Sequence, residues 1–308
     1  MNPNHKMIIA VLAAVLAAIF ILNYFDSRDN TKNERVEPGA VSTIVTISIG
    51  TVSDDAVKRI RTFQPTADYI AQKLSTGQIR YEGKVIIAKT IDNISDLLEE
   101  QELDLFFDTP FAATITANKS GSVPFLRRWR DGVPEYHSVF IVKKNSSIKT
   151  LNDFYGKTIA FEDPGSTSAY LLPKAYLIQK GFKLSESPGK NNISYAYSGA
   201  DENTPVWIIE GKADIGAISN VNFENYQGSI KDKITIIGKT ENVPRHVVSH
   251  RSGMEPEMVE KIKVILLNMD RDPKGIEILK NFKTKKYDEL ANKEEFLTNI
   301  SKMIDLLK

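Results

Sequence analysis

From Val41 onward the chain alternates stretches that suit a strand with stretches that suit a helix, and this order constrains the fold more than any other feature. "VSTIVTISIG" (41–50), "YEGKVIIAKT" (81–90) and "LDLFFDTPF" (103–111) are apolar and β-branched or aromatic, the last running into a loop. Between them, "DDAVKRIRTFQPTADYIAQKL" (54–74) and "ISDLLEEQ" (94–101) carry apolar residues at helical spacing. A βαβαβ order predicts an α/β fold with a mainly parallel sheet, helices on its faces, and ligands at the carboxyl ends of the strands. After "YHSVFIVKKNSSI" (136–148) the pattern restarts with a strand ending in "TIAFED" (158–163), a helix through Ile178, the strand "ISYAYSG" (193–199), the helix "ENTPVWIIEGK" (202–212) and the strand "ADIGAIS" (213–219). Two such units predict two lobes, the first from residues 43–135 and 236–308, the second from 136–235. The strand "DKITIIGKT" (232–240) leads into "EPEMVEKIKVILLNMD" (255–270) and two further helices, expected to pack on the first lobe.

Composition narrows the function. Hydrophobic residues make up 42% of the chain and charged residues 26%, enough apolar material for real cores, so a disordered chain is excluded. Forty Lys and Arg balance thirty-nine Asp and Glu, a net charge of +1, so no bulk field draws nucleic acid or an anionic membrane surface, and any bound anion must be held locally. Cysteine is absent, which removes disulfides, thiolate metal sites, thiol nucleophiles and a lipid-modified cysteine. Only His5, His137, His246 and His250 remain as imidazole ligands, so no metal or other cofactor is expected.

The N-terminus is a separate object. Residues 7–25, "MIIAVLAAVLAAIFILNYF", are uncharged and close to the length of about 20 that crosses a bilayer as a helix. A secretory signal has an apolar region of about 7 to 15 residues and a small-residue cleavage site after it, and no clean site follows here. The expectation is an uncleaved signal anchor with residues 1–6 in the cytoplasm, 26–42 as a polar tether, and the body outside, on the cell surface or in the periplasm. A signal peptide cut within the alanines is the alternative, and both readings export the body.

The densest local signal is "PGSTSAYLLP" (164–173), where a strand gives way to three successive hydroxyl residues, Ser166, Thr167 and Ser168. The first N–H groups of a helix lack internal partners and the macrodipole adds positive potential, so a strand–turn–helix junction is a ready anion site. One hydroxyl suffices for capping, and the other two could meet an oxyanion as neutral donors. Pro173 would remove a hydrogen bond from a helix begun at Ser166, so Thr167–Leu172 are expected to form a tight opening turn before a helix starting near Pro173. A nucleophilic serine is disfavoured because the stretch lacks the G-x-S-x-G elbow.

"FEDPGSTSAYLLPKAYLIQKGF" (161–182), "YHSVFIVKKNSSIKTLNDFYGKTIAF" (136–161), "EGKADIGAIS" (210–219) and "VPRHVVSHRSGMEPEMVEKIKVILLNMDRDPKGIEIL" (243–279) together resemble the solute-binding proteins of phosphate, phosphite and phosphonate ABC importers. The resemblance runs from about Thr43 to Asn281 and implies a two-lobed, type II periplasmic-binding-protein fold that clamps a small anion between its lobes. It implies that Ser166, Thr167 and Ser168 hold the oxyanion oxygens, with Tyr170 completing the Ser-Thr-Ser-x-Tyr motif. Relatives that take aminoalkyl phosphonates place aromatics where Ile91 and Asp108 stand here. In "FFDTPF" (106–111), Asp108 and Thr109 lie at a strand's carboxyl end, as ligand contacts or as an ordinary turn. "SGADENTP" (198–205) matches the family's acidic loop and puts Glu202 in the ligand-facing place, although Asp201 or Asn203 could be plain helix caps. His137 in "EYHSV" matches a cleft-facing position, or is a satisfied residue at the lobe junction. "RRWR" (127–130) could reach an anion, but a charge cluster beside Asp131-Gly132 is more often a solvated loop with Trp129 packed down.

The partners so implied are a small anion, a transporter permease and the membrane through the N-terminal helix, with no nucleic acid and a monomeric body. A sensory or scavenging ectodomain of the same fold is the alternative, and a thiamine-pyrimidine-synthesis-like enzyme a more distant one. Acidic residues beside the anion imply selection for ligands that carry a hydrogen to donate.

Overall fold

The computed structural model describes residues 43–308. The apolar segment 7–25, the tether and residues 1–6 lie outside the described residues, among which no helix is long and apolar enough to cross a membrane.

Four strands come first: β1 (Thr43–Val52), β2 (Ile79–Ala88), β3 (Leu105–Asp108) and β4 (Val123–Arg130). A two-residue strand, β5 (Glu135–Tyr136), precedes β6 (Ser138–Lys143), β7 (Thr158–Phe161), β8 (Leu184–Ser185), β9 (Ile193–Tyr197), β10 (Ile215–Ser219) and β11 (Ile234–Lys239). A second short strand, β12 (Val243–Pro244), leads to β13 (His246–His250) and β14 (Thr284–Glu289). They form two six-stranded sheets, ordered β14-β4-β13-β3-β1-β2 and β11-β6-β10-β7-β9-β8.

Both sheets are mixed, which corrects the expectation of a mainly parallel sheet in each lobe. β1 and β3 run parallel, but β13 is antiparallel to both β3 and β4, and β14 is antiparallel to β4. In the second sheet β7, β8, β9 and β10 form the parallel part, while β6 enters antiparallel to β10 and β11 antiparallel to β6. The cause is the way the chain changes lobe. Parallel neighbours need a crossover of a dozen or more residues, usually a helix, and the two passages between the sheets have none. They run through β5 and β12 instead, which pair with each other at Tyr136–Val243 and Glu135–Pro244. β11 pairs with β6 along its whole length, so the second sheet extends to Lys239, beyond the expected limit at 235.

Each lobe has its own core. On the first sheet Ile49, Phe63, Ile70, Leu105, Phe107 and Phe282 are buried together, with Phe63 edge-on to Phe282 at 4.6 Å. Gly83 in β2 allows close approach of the helix Ala56–Leu74, since a Cβ there would lie 2.5 Å from the Ala67 carbonyl carbon. Phe140, Phe154, Phe161, Leu177 and Ile193 form the core of the second lobe. The C-terminal helix Lys293–Leu307, expected on the first lobe, buries Ile300 in a cluster that draws Phe111 from one lobe, Leu172 from the other and Tyr136 and Val243 from the paired connectors.

Candidate functional site

The strand β7 ends at Phe161, and the chain then makes a wide turn. Leu171 N–H donates to the Ser166 carbonyl at 2.9 Å and Leu172 N–H donates to the Thr167 carbonyl, both one residue beyond the α-helical spacing. An α-helix from Ser166 would need the amide hydrogen that Pro173 lacks, and the proline ring would crowd the Ala169 carbonyl, so the backbone widens before the regular helix Leu172–Gln179 begins. The expected tight opening turn is therefore a π turn. It divides the three hydroxyls. Ser166 Oγ accepts from Ala169 N–H at 3.2 Å and is the cap. The Ser168 carbonyl accepts from the Ser138 hydroxyl at 2.6 Å, which ties the turn to β6. Thr167 is 5% exposed, and its Oγ1 makes no hydrogen bond of good geometry.

These three residues line a cleft of about 630 Å³ whose other side comes from the first sheet and the connectors. There stand Arg59, Arg130, Arg245, His246, Thr109 and Tyr136. Strand alternation places Arg128 and Arg130 on one face of β4, and His246 pairs with Arg128 in register on β13. Arg128 is buried, donates to Thr284 Oγ1 at 2.7 Å and to the Phe282 carbonyl at 2.6 Å, and lies 3.8 Å over the Phe282 ring. Burial pulls its guanidinium down to about 10, which leaves it charged at neutral pH. Arg130 Nη1 sits 3.1 Å from His246 Nε2. A guanidinium only donates, so Nε2 accepts and the imidazole proton sits on Nδ1, a buried atom with no partner. Burial, and then Arg128, Arg130 and Arg245, hold His246 well below the ordinary histidine value, so it is neutral. Arg245 reaches Asp131 at 3.4 Å, stacks 5.0 Å over the Tyr136 ring and leaves its buried Nε without a partner. Burial lowers the Arg245 guanidinium and pushes the Tyr136 phenol up to about 12.

Opposite this cationic wall, Glu162 and Asp201 face the same cleft. Burial lifts the Glu162 carboxyl to about 7, opposed by the nearby Ser166 hydroxyl and reinforced by Asp201 and Asp163. Burial also raises Asp201, which Asn222 and Glu162 partly offset as donors. Two neighbouring carboxyls cannot both ionise cheaply, and burial holds both above the ordinary carboxylate range, with Glu162 the one placed to donate to Asp201 when protonated.

The other residues singled out by sequence take different places. Both oxygens of Asp108 are engaged: Oδ2 accepts from Thr51 Oγ1 at 2.8 Å and Val52 N–H at 3.1 Å, and Oδ1 from Thr109 N–H at 2.7 Å. Thr109 lines the cleft while capping Ala112 N–H at 3.3 Å, at the start of the helix Pro110–Ser120, where the sequence reading had only a loop. Glu202 is exposed and outside the cleft lining, and Asp201 holds the inward position. His137 Nδ1 bonds Asn242 Oδ1 at 2.9 Å at the lobe junction. Tyr170 packs on Phe161 and Tyr197 at 5.2 and 5.4 Å, and its hydroxyl accepts from Lys174 at 2.7 Å, which puts it beside the cleft lining in an aromatic cluster.

Sequence reading did not single out Arg59, Arg245, His246 or Glu162 for the cleft, and set Arg130 aside within "RRWR" as part of a solvated loop. A signal existed for two of them: Glu162 follows a strand's carboxyl end, and Arg130 shares the inward parity of Arg128.

A family model described as "ABC transporter, phosphonate, periplasmic substrate-binding protein" matches residues 49–295. The phosphate-import protein PhnD of Mycolicibacterium smegmatis is 28% identical over 173 residues, which are 53% of this chain and 54% of that protein. The phosphonates-binding periplasmic protein of Escherichia coli is 27% identical over 156 residues, 48% of this chain and 45% of that protein. The chain thus spans about half the length of the curated relatives it matches. Among solved structures, XAC2383 from Xanthomonas citri is 27% identical in its chloride-bound form and 26% in its ATP-bound form, with TM-scores of 0.76. The superposition covers 85% of this chain and 98% or 99% of that one.

Proposed function

Because the chain belongs to the family of periplasmic substrate-binding proteins of phosphonate ABC transporters, we propose that it captures a small phosphorus oxyanion outside the cytoplasm and delivers it to a transporter permease. The observation that carries this reading is the convergence of three buried polar atoms without partners, Thr167 Oγ1, Arg245 Nε and His246 Nδ1, on residues of one cleft. A buried donor left unpaired costs roughly 1–3 kcal/mol, so a protein keeps several in one place where a ligand satisfies them. In this reading Ser166, Thr167 and Ser168 meet the oxygens from one side, and Arg245 and Arg130 neutralise the charge from the other. The part expected of Asp108 and Glu202 passes to Glu162 and Asp201. Their shared proton favours a ligand that either accepts that hydrogen or brings its own. XAC2383, seen with chloride and with ATP, supports an anion as the occupant.

The protein acts as a monomer held to the membrane by residues 7–25, and closure of the lobes about the β5–β12 connectors completes the site. Calorimetry on the full chain in a mild detergent tests the reading with phosphate, phosphite, methylphosphonate and sulfate at about pH 5.5 and about pH 8, either side of a second phosphate ionisation near 6. Phosphate is expected to bind at both values. Sulfate is expected to fail at the higher one, because it has no hydrogen to offer two ionised carboxylates. Equal affinity for sulfate and phosphate at about pH 8 would sink the assignment.

A further inference from the structure

The cleft does not end at Arg130. A second compartment of about 410 Å³ adjoins it on the first-sheet side, and Ser53, Arg59, Thr109, Arg130 and His246 line both. Lys58, Arg128 and Lys283 line the second compartment alone. Lys58, Arg59, Arg128 and Lys283 have no carboxylate within 4.0 Å among the described residues, and Arg130 has only Asp131, at 3.6 Å. The two carboxylates that line this compartment are already engaged. Asp55 Oδ1 caps the helix Ala56–Leu74 through Lys58 N–H at 3.0 Å, and Asp108 holds its three donors. His246 is 8% exposed, lies at the junction of the compartments, and keeps its Nδ1 unpartnered. Compartments of 630 and 410 Å³ each fall within the roughly 300–1,000 Å³ typical of sites for whole organic ligands, far more than one tetrahedral oxyanion fills.

We propose that the cleft takes a ligand with two anionic groups joined by a short linker, such as a diphosphate or a phosphate ester bearing a second anion. One phosphorus group rests on the Ser166–Ser168 turn, and the second lies in the compartment of Lys58, Arg59 and Arg128. This rests on the function proposed above and goes further, because a single oxyanion leaves the second compartment's excess of cations over Asp55 and Asp108 without a counterion. Like charges held together raise one another's free energy, and an anion between them relieves it. Burial together with Arg130 and Arg59 already lowers the Arg128 guanidinium.

Calorimetry on the full chain at one pH and ionic strength, with methylphosphonate and the non-hydrolysable methylenediphosphonate, tests it. The two-group ligand is expected to bind at least tenfold more tightly. Arg59→Gln, at a partly buried position that lines both compartments but lies outside both cores, is expected to reduce that preference at least fivefold. Lys58→Gln is expected to reduce it about threefold. Lys231→Gln, which removes a positive charge from the second lobe, is expected to change the preference less than twofold, so that net charge alone is separated from the compartment. Thr167→Val should weaken both ligands alike. Equal affinities for the two ligands, or a preference that survives Arg59→Gln and Lys58→Gln, would overturn this inference and leave the single-oxyanion reading standing. Binding of neither ligand would overturn that reading and this one with it.

Discussion

The two walls of the cleft do opposite things with charge. The first-sheet wall gathers Arg59, Arg130, Arg245 and a neutral His246 against two carboxylates, Asp54 and the Asp131 that pairs with Arg130 and Arg245, so cations predominate and it is electrostatically primed for an anion. Its opposite number carries no cation among the residues that line the cleft. It offers hydroxyls on a π turn and a carboxyl pair, Glu162 and Asp201, whose acidity burial weakens. Charge on one side supplies attraction, and directed neutral groups on the other supply discrimination. Neither wall alone surrounds a ligand, so affinity and selectivity should respond to different substitutions.

Arg245→Gln should produce the largest effect. The side chain is largely buried over Tyr136 and its Nε is unpartnered, so its removal takes away a desolvated charge facing the ligand. Losses of about 2–5 kcal/mol are usual for such a partner, or about thirtyfold and more in dissociation constant. Phosphate calorimetry on the variant measures it, and a change below threefold would mean that the cationic wall does not carry affinity.

Thr167→Val sharpens the contrast from the other side. A hydrogen bond from a neutral hydroxyl to a charged oxygen is worth roughly 1.5–3 kcal/mol, so affinity should fall more than tenfold. Stability should hold, because Thr167 Oγ1 makes no hydrogen bond of good geometry among the described residues and valine is nearly its shape. Ser166→Ala should do the reverse: as the cap to Ala169 N–H it should cost about 1 kcal/mol in a urea titration and less in binding. If the two variants exchanged these outcomes, Ser166 would be the main contact of the ligand on this turn and Thr167 a structural residue.

The difference between the walls also explains what was legible beforehand. The hydroxyl wall is contiguous in sequence, and Pro173 even announced the interrupted turn, so Ser166, Thr167 and Ser168 could be read directly. The cationic wall is assembled from a helix start at Arg59, a strand end at Arg130 and a connector at Arg245, which meet only through the antiparallel entry of β13 beside β4. Read as a local cluster, "RRWR" looked solvated. Strand parity divides it, with Arg127 outward and bonded to Asp288 at 2.7 and 2.9 Å while Arg128 turns inward. The acidic loop could be found, but which of its residues faces inward depends on the turn before the helix Asn203–Glu210, where Asp201 lines the cleft and Glu202 is exposed. Sheet direction was misread because parallel order was carried through the lobe crossings, where no helix intervenes.

Asp108 tests whether a residue at the edge of the cationic wall is scaffold or contact. It ties the end of β1 to the start of the helix Pro110–Ser120 through three donors. Asp108→Ala should leave those donors unsatisfied and cost about 2 kcal/mol of stability in urea, with a smaller effect on phosphate affinity. A loss confined to binding would return Asp108 to the ligand.

The smallest effect, and the one most specific to the hydroxyl wall, concerns the proton between Glu162 and Asp201. In the unfolded chain Glu162 titrates near the ordinary 4.5, and in the folded protein burial moves it to about 7. Below 4.5 both states hold the proton; between 4.5 and about 7 only the folded state does, so stability declines as pH rises through this window and levels off above it. Glutamine has no proton to lose. Glu162→Gln should therefore gain stability relative to the parent as pH rises from about 4.5 to about 7, by about 1 kcal/mol once solvent screening of a half-buried group is allowed for. Binding should follow the same proton: methylphosphonate affinity should fall above about pH 7 in the parent, where the carboxyl pair and the ligand are all ionised, and fall less in the variant. Urea titrations and calorimetry at matched pH values read the two curves. A parent and variant that lose methylphosphonate in parallel would show that ligand ionisation against the cationic wall, and not the carboxyl pair opposite, sets the pH dependence.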